Sequence, residues 1–157
     1  MQKLQDIDSF KDKYERFSNF YPVLITFESI VYPTIEHAFV ASKSLDLMFR
    51  ADIAALPADK AGKAKRMGRN KKKCKLRKNW ELIKVPHMER FLTQKFSIYE
   101  FRQLLLSTGT TLMIEGNYWH DNYWGNCYCP DCKNIKGINK LGKLLMKKRD
   151  RMSPLRE

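Results

Sequence analysis

The octet Tyr32-Pro33-Thr34-Ile35-Glu36-His37-Ala38-Phe39 decides how the first half of this chain folds. Proline disfavours helix at the residue before it, so Tyr32 is predicted to be extended. Thr34 can then accept a hydrogen bond from a backbone N–H as an N-cap, which predicts a helix that begins at Ile35. The Glu36 carboxylate therefore lies in the first turn of an otherwise apolar helix, where the helix dipole favours its ionised form.

Helical spacing sorts the residues after the octet into two faces. One face predicts a buried stripe of Ile35, Ala38, Phe39, Ser42 and Leu45. The neighbouring face carries Glu36, Val40 and Lys43, so Glu36 is predicted at the wall of the core. On the octet alone, a solvated first-turn glutamate is the simpler interpretation, and the rest of the chain has to decide between the two.

Length and composition favour one domain. The chain has 157 residues, 43% of them hydrophobic, which is enough for one real core. No run approaches the roughly 18 apolar residues of a membrane span, and Met1–Asp6 lacks the apolar segment of a signal peptide. We therefore expect a cytoplasmic protein without a membrane partner, whose four cysteines are reduced.

The positive charge is concentrated in two segments. The net charge is +13, and Lys60–Lys78 holds eleven basic residues and no acidic one. Lys136–Glu157 holds eight basic residues against two acidic ones. Such a field attracts polyanions, so a nucleic acid, a nucleotide and a sugar phosphate are all compatible partners. The alternative is a solvated basic face.

The coarse pattern predicts a mostly helical α+β fold. A short hairpin over 23–32 turns at Glu28-Ser29 and leads into the Glu36 helix. Next, a second helix is predicted over 47–56 and a third that Gly68 ends. A basic loop over 69–78 then leads to a long helix that Asn79 caps and that Pro86 kinks or splits. Next come a Ser97–Glu100 capping box, a helix that ends near Gly109, a strand over 110–115 and a final helix that Asn139 caps. In that last helix Leu141, Leu144 and Leu145 are predicted to face inward and Lys143, Lys147, Lys148 and Arg149 outward.

The loop from Tyr118 to Trp124 combines an acid, amides and several large rings. Exposed tryptophan and tyrosine rings can stack on a base, and a nearby aspartate can hold ribose hydroxyls. A small aromatic cluster packed under the loop is the alternative.

Several motifs follow one another over nearly the whole chain from Phe17. They are FSNFYP (17–22), YPTIEHAFVASKS (32–44), RMGRNKKKCKLRKNWELIK (66–84), KF (95–96), LLLSTG (104–109) and DNYWG…GINKLGKLLMKKR (121–149). Together, and in this order, they resemble the NADAR family. The resemblance implies one compact NADAR-like domain over 1–157, with its core at about 13–150. It also implies a hydrolase that cleaves the bond between ribose C1 and a nitrogen, without an organic cofactor. Early riboflavin-pathway intermediates and ADP-ribosylated guanine in nucleic acid are the substrates that the family suggests.

Three residues are predicted to be catalytic. A carboxylate beside C1 can stabilise an oxocarbenium-like sugar or activate water, and Glu36 is our candidate. Lys43 lies seven residues later, about 10 Å along the helix axis. Its amine can attack an opened sugar as a Schiff base or bind a phosphate, and both roles remain open. Asp121 is the second acid, for ribose hydroxyls or proton transfer, with loop capping as its alternative.

The predicted substrate-binding residues surround this centre. Trp119 and Trp124 would stack on the leaving base, and Asn19 and Phe20 would close the pocket. Arg66, Arg69 and Lys73 would bind the phosphate. Gly125 in the aromatic loop and Asn139 at the start of the last helix complete the predicted substrate-binding residues. Trp80 is predicted to be core instead.

The cysteine cluster departs from the plainer family members. Cys127, Cys129 and Cys132 could take zinc with His120, Asp131 or Cys74 as the fourth ligand, although no second CxxC pair supports it. We expect no catalytic metal. A structural zinc site and three reduced thiols bracing a turn both remain open, and His37 and His87 are predicted to be structural. The oligomeric state is not indicated.

A different class of function is a non-catalytic nucleic-acid-binding module that uses the basic segment 60–78 and the exposed aromatic rings. Its binding would depend strongly on salt.

Overall fold

In the computed structural model, which describes residues 5–154, the first helix α1 spans Ile35–Ser42 and begins where the octet predicts. Thr34 is extended, and its side chain accepts a hydrogen bond from the backbone N–H of His37. All eight residues of α1 are buried, so the helix lies within the core instead of showing one apolar stripe. Leu45, predicted to extend that stripe, is 65% exposed, because the helix has ended before it.

The chain divides into two compact units. Unit 1 combines the residues up to Ser18 with those from Tyr99 onward, and unit 2 is Asn19–Ile98. The expectation that Met1–Asp6 lacks the apolar segment of a signal peptide concerns in part residues 1–4, which lie outside the described residues. Within residues 5–154, no helix is long and apolar enough to cross a membrane.

The hairpin of unit 2 forms as predicted. Strands β1 (Ile25–Phe27) and β2 (Ile30–Tyr32) are antiparallel, with Ile25 opposite Tyr32. The two turn residues, Glu28 and Ser29, have φ of 44° and 66°, as a two-residue hairpin turn of the primed type requires. The buried side chains of the hairpin contribute to the core of unit 2.

Three further helices complete unit 2: α2 (Leu47–Ala54), α3 (Ala61–Arg69) and α4 (Trp80–Ser97). Gly68 lies inside α3 and does not end it, contrary to the prediction. A Cβ at Gly68 would lie 2.8 Å from Cγ1 of Val40, so this glycine allows α3 to pack closely on α1.

Two predicted helix boundaries around α4 are absent. Pro86 does not split the helix, which continues through it, because its buried side chains on the C-terminal side (Met88, Phe91, Leu92 and Phe96) hold it in the core. The alternative, a kink at Pro86, stays a prediction. Ser97 is the last residue of α4 and its hydroxyl donates to the Gln94 carbonyl at 2.7 Å, so it does not form the predicted capping box. Asn79 precedes α4 as predicted, but its side chain makes no capping hydrogen bond.

Unit 1 contains α5 (Tyr99–Ser107), the parallel two-residue strands β3 (Gly116–Asn117) and β4 (Asn126–Cys127), and α6 (Lys140–Met152). Gly109, with φ of 57°, follows α5 as predicted. The predicted strand over 110–115 is wrong. Within the described residues this segment forms only an isolated bridge between Met113 and Ile7, because a single residue of the N-terminal segment pairs with it.

The last helix is amphipathic as predicted, with one exception. Leu141, Leu144 and Leu145 are buried. Arg149, predicted to face outward, is buried as well, and its Nη1 donates to Thr108 Oγ1 at 2.9 Å and to the Thr111 carbonyl at 2.8 Å. Those two acceptors make the burial of the guanidinium tolerable. The predicted class, a mostly helical α+β fold with a short hairpin, is confirmed.

Lys95 of α4 is fully buried, and this burial lowers its pKa to about 7. The unfolded chain holds the proton up to an ordinary pKa of 10.5, so between these values the unfolded state binds more protons and stability rises with pH. We expect Lys95→Met to reduce the slope of the unfolding free energy against pH by up to about 1.4 kcal/mol per pH unit. Urea unfolding between about pH 7 and 10 measures it. The exposed Lys63→Met is the control, and an unchanged slope in Lys95→Met would contradict the assignment.

Candidate active site

Glu36 lies at the wall of the unit 2 core, as predicted. Only 7% of the residue is exposed, which excludes the solvated first-turn glutamate. Its backbone N–H donates to the Asn19 carbonyl at 3.0 Å. Asn19 is half-buried, and its Nδ2 contacts Met88 Sδ at 3.5 Å. Asn19, predicted to close the pocket, therefore fixes the backbone of the candidate catalytic residue.

Lys43 follows the last residue of α1 and is half-buried. Burial lowers the pKa of its amine, and the charge of Glu36 opposes that shift. The cations Arg69 and Lys65 lower it further. The structure thus brings Glu36, Lys43 and Arg69 of the predicted set within electrostatic reach of one another. Lys65 is a site residue that the sequence analysis did not single out, because it was one of eleven basic residues in the same segment.

Two aromatic rings lie beneath the Lys43 amine. Its Nζ is 5.8 Å from the Phe39 ring centroid and 5.9 Å from that of Trp80, within reach of cation–π attraction. The two rings pack on each other at 5.1 Å. Trp80 is buried, as predicted for a core residue, but it also forms part of the surroundings of Lys43. Burial raises the pKa of the neighbouring Cys74 thiol, and the charge of Lys43 opposes this shift.

The basic face of α3 is open to solvent. Arg66 and Arg69 are exposed, and Lys73 is exposed in the turn that follows the helix. The Lys65 amine lies 5.8 Å from the centroid of the Phe20 ring, which is 41% exposed. A Cβ at Gly62 would lie only 3.8 Å from Arg66 Nη1 and 4.0 Å from Phe20. An aromatic ring and several cations therefore share one accessible surface, which suits a phosphorylated ring compound.

Arg50 supports this site and was missed by the sequence analysis. Its side chain is buried, with Nε donating to the Ser44 carbonyl at 2.8 Å and Nη1 paired with Glu28. It thus ties the residue after Lys43 to the turn of the hairpin. The available signal was its position between Phe49 and Ile53, which share its buried face of α2.

Asp121 lies in unit 1, where it caps its own loop. Its Oδ1 accepts from the backbone N–H of Tyr123 at 3.1 Å and of Trp124 at 2.9 Å. Asn117 holds its backbone from both sides, donating to the Asp121 carbonyl at 2.7 Å and accepting from its N–H at 3.2 Å. The loop-capping alternative is therefore present, and the catalytic role of Asp121 stays a prediction.

The other predicted residues of unit 1 differ in accessibility. Trp119 is 45% exposed, whereas Trp124 is half-buried and packs edge-on against Tyr123 at 5.1 Å. A Cβ at Gly125 would come within 2.0 Å of the Glu115 carbonyl. The buried Asn139 has a left-handed backbone, so its side chain does not cap α6 and instead accepts from Glu115 N and donates to Met113 O. Gly125 and Asn139 thus build the loop, and their contact with substrate stays a prediction.

The histidines and cysteines have distinct surroundings. His37 Nδ1 lies 2.7 Å from Thr34 Oγ1, and burial lowers the pKa of both His37 and His87, as expected of structural histidines. His120 Nδ1 and the sulfurs of Cys127, Cys129 and Cys132 all lie within 4.8 Å of one another and could hold a metal ion.

Comparisons with known proteins agree with this architecture. The family model described as the NADAR domain matches residues 7–153. The N-glycosidase YbiA of Shigella boydii is 40% identical over 146 residues, which cover 92% of this chain and 86% of the relative. The NMR structure of YbiA from Escherichia coli superposes with a TM-score of 0.75 at 36% identity, covering 96% of this chain and 90% of that chain. A riboflavin biosynthesis protein of Vibrio vulnificus is 31% identical over 86% of this chain, which spans 35% of that larger protein.

These relatives confirm the enzyme class predicted from the sequence, a hydrolase that cleaves N-glycosyl bonds. The family match covers almost all of the described residues. The chain belongs to the NADAR family.

Proposed function

We propose that this protein hydrolyses the bond between ribose C1 and a base nitrogen in a phosphorylated ribosyl compound, using Glu36 and Lys43. The observation that carries the proposal is the pairing of these two groups in unit 2. Glu36, of which only 7% is exposed, acts electrostatically on the amine of the half-buried Lys43. Isolated charges are costly to bury, so such a pair beside an accessible basic face indicates a functional site.

The chemistry follows from the position of the carboxylate. As the C1–N bond breaks, its electron pair goes to the nitrogen and positive charge develops on the sugar. Glu36 stabilises that charge, and in the last step it accepts a proton from the water that hydrolyses the covalent intermediate on Lys43, so that the water oxygen forms the new bond to C1. The departing nitrogen takes up a proton, so the products are the free base and the free sugar.

Lys43 is proposed to act as a nucleophile on the ring-opened sugar. Its amine adds to C1 and displaces the nitrogen as an amine, and water then hydrolyses the resulting Schiff base. Burial and two neighbouring cations lower its pKa, which increases the neutral fraction that can attack. Phosphate binding is left to the exposed Arg66 and Arg69.

Two substrate classes fit this site. A relative named as a riboflavin biosynthesis protein supports early intermediates of that pathway, which carry one phosphate. The exposed basic residues of α3 and the following turn support ADP-ribosylated guanine in nucleic acid, because a longer polyanion can use more of them. We place the riboflavin-pathway intermediates first, since the desolvated centre holds few cations.

A panel assay tests the proposal. The protein is incubated with N-ribosyl compounds of both classes, and mass spectrometry follows the free base and free sugar. We expect release from at least one phosphorylated compound and none from its dephosphorylated form. Salt-dependent binding of DNA or RNA without turnover on any panel member would favour the non-catalytic binding module.

Lys43→Arg is expected to lower kcat about a hundredfold while KM changes little, because a guanidinium keeps the charge but cannot form a Schiff base. The wild-type kcat should rise with pH through the lowered pKa of Lys43, as neutral amine becomes available. Steady-state kinetics across pH and borohydride trapping measure both effects. If Lys43→Arg keeps its kcat and only KM rises, the lysine binds phosphate instead. Lys63→Arg, on the exposed side of α3, is the control.

A further inference from the structure

A second cluster of reactive side chains belongs to unit 1, whereas the residues of the proposed chemistry belong to unit 2. His120 Nδ1 is 3.3 Å from Cys129 Sγ and 3.4 Å from Cys132 Sγ. With Cys127 Sγ, these four atoms all lie within 4.8 Å of one another. The three cysteines are buried and carry free thiols. The four side chains therefore converge on one point.

The spacing fits a single tetrahedral ion. With Zn–S bonds of about 2.3 Å and Zn–N bonds of about 2.0–2.1 Å, neighbouring ligand atoms of a tetrahedron are about 3.5–3.8 Å apart. The two measured imidazole–sulfur distances are within a few tenths of an ångström of that edge.

The backbone explains how a short sequence gathers these ligands. Cys127 belongs to β4, and Cys129 immediately precedes a 3-10 turn over Pro130–Cys132. The Cys132 N–H donates to the Cys129 carbonyl at 3.0 Å, which folds the two sulfurs to the same side. His120 has φ of 66°, a left-handed conformation that is uncommon outside glycine and that histidine, like asparagine and aspartate, adopts more readily than other residues.

Further hydrogen bonds prepare the sulfurs to act as thiolates. The His120 N–H donates to Cys127 Sγ at 3.3 Å, and Asn122 Nδ2 donates to Cys132 Sγ at 3.3 Å. Asn122 Oδ1 also accepts from the Cys127 N–H at 2.9 Å. Such N–H donors to ligand atoms are the supporting shell that orients and stabilises metal ligands.

We propose that His120, Cys127, Cys129 and Cys132 bind one zinc ion in a closed, structural site. Three thiolates and an imidazole select zinc over calcium, magnesium or manganese, which prefer oxygen ligands. Four protein ligands complete the tetrahedron and leave no position for water or substrate, so the ion is not catalytic. Of the three fourth ligands considered from the sequence, His120 is the one in the cluster, and neither Asp131 nor Cys74 is among its members.

The ion would join two segments that hydrogen bonds from His120 and to Asn122 already hold side by side. It would tie residue 120, in the loop that contains Asp121, to the segment 127–132. Because ligands must be gathered for binding, the binding free energy adds to the stability of the folded unit.

Metal content tests the site independently of activity. Elemental mass spectrometry should find about one zinc ion per chain in the purified wild-type protein and almost none in the Cys129→Ser and His120→Ala variants. Cys74→Ser, which removes a buried cysteine from unit 2, should keep its zinc. Equal loss in Cys74→Ser would overturn the assignment.

Wild-type protein gives a second readout if the cluster variants do not fold. Cobalt exchanged into the protein should show the intense absorption of a tetrahedral thiolate site, and a strong chelator should lower Tm. The proposal fails if the reduced wild-type protein, equilibrated with zinc, retains none after gel filtration, or if it retains iron in its place.

Discussion

A Glu36→Gln enzyme is expected to lose about a thousandfold in kcat/KM, within the range of about 10² to 10⁴ that a positioned general base contributes. Glutamine keeps the shape of the side chain but has no negative charge and cannot accept a proton from water. The side chain is 7% exposed and its backbone is held by Asn19, so the variant should fold. The measurement is steady-state turnover of the best panel substrate, with Tm recorded in parallel.

The control is Glu81→Gln. Glu81 is also a first-turn glutamate, at the start of α4, but it is exposed and pairs with Lys84. We expect it to keep wild-type turnover. A Glu36→Gln enzyme that binds substrate and turns it over at the wild-type rate would show that this carboxylate is not needed, and the proposed chemistry would fail while the family assignment stood.

Local signals in the sequence were sufficient where one residue determines one backbone feature. Pro33 and Thr34 fixed the start of α1, Glu28-Ser29 fixed the hairpin turn, and Gly109 marked the end of α5. Each depends on sterics or on one hydrogen bond between close neighbours in sequence. Glu36 was predicted correctly at the core wall, but not because helical spacing selects one buried face, since all eight residues of α1 are buried.

Predictions failed where the decisive partner is distant in sequence. Gly68 resembles a helix terminator, but its role depends on Val40 of another helix. Arg149 resembles a surface residue until Thr108 and Thr111 are placed beside it. The segment 110–115 has strand-like residues, but a strand also needs a partner, and the partner is one residue. Propensity is a weak prior that such tertiary contacts override.

The predictions for the candidate site succeeded and failed for the same two reasons. Glu36 and Lys43 share one helix, so spacing could pair them. Choosing Lys65 among eleven basic residues required knowing which side of α3 faces Lys43. The fourth ligand of the cysteine cluster was likewise left among three candidates, since the turn at residue 120 depends on a left-handed backbone that is uncommon outside glycine.

The second large effect is expected for Arg50→Met, which should lower the free energy of unfolding by about 3 kcal/mol. The guanidinium is 98% buried, donates to the Ser44 carbonyl, pairs with Glu28 and lies 5.0 Å from the Phe27 ring centroid. Methionine fills similar volume but leaves a buried carbonyl without this donor. This loss of stability is at the low end of the range for breaking a buried ion pair, because Glu28 is half exposed and can be hydrated. Urea unfolding measures it.

Arg90→Met provides the matched control, because Arg90 lies over the same Phe27 ring at 5.9 Å but is exposed. We expect it to change stability by less than about 0.5 kcal/mol.

The pH dependence supplies a second check. The hydrogen bond from Arg50 lowers the pKa of Glu28 below its ordinary 4.5, so this part of the stability is present above pH 4.5 and is lost as pH falls through the lowered value. The deficit of Arg50→Met should therefore shrink in acid, and a deficit that is constant with pH would show that packing, and not the ion pair, accounts for it.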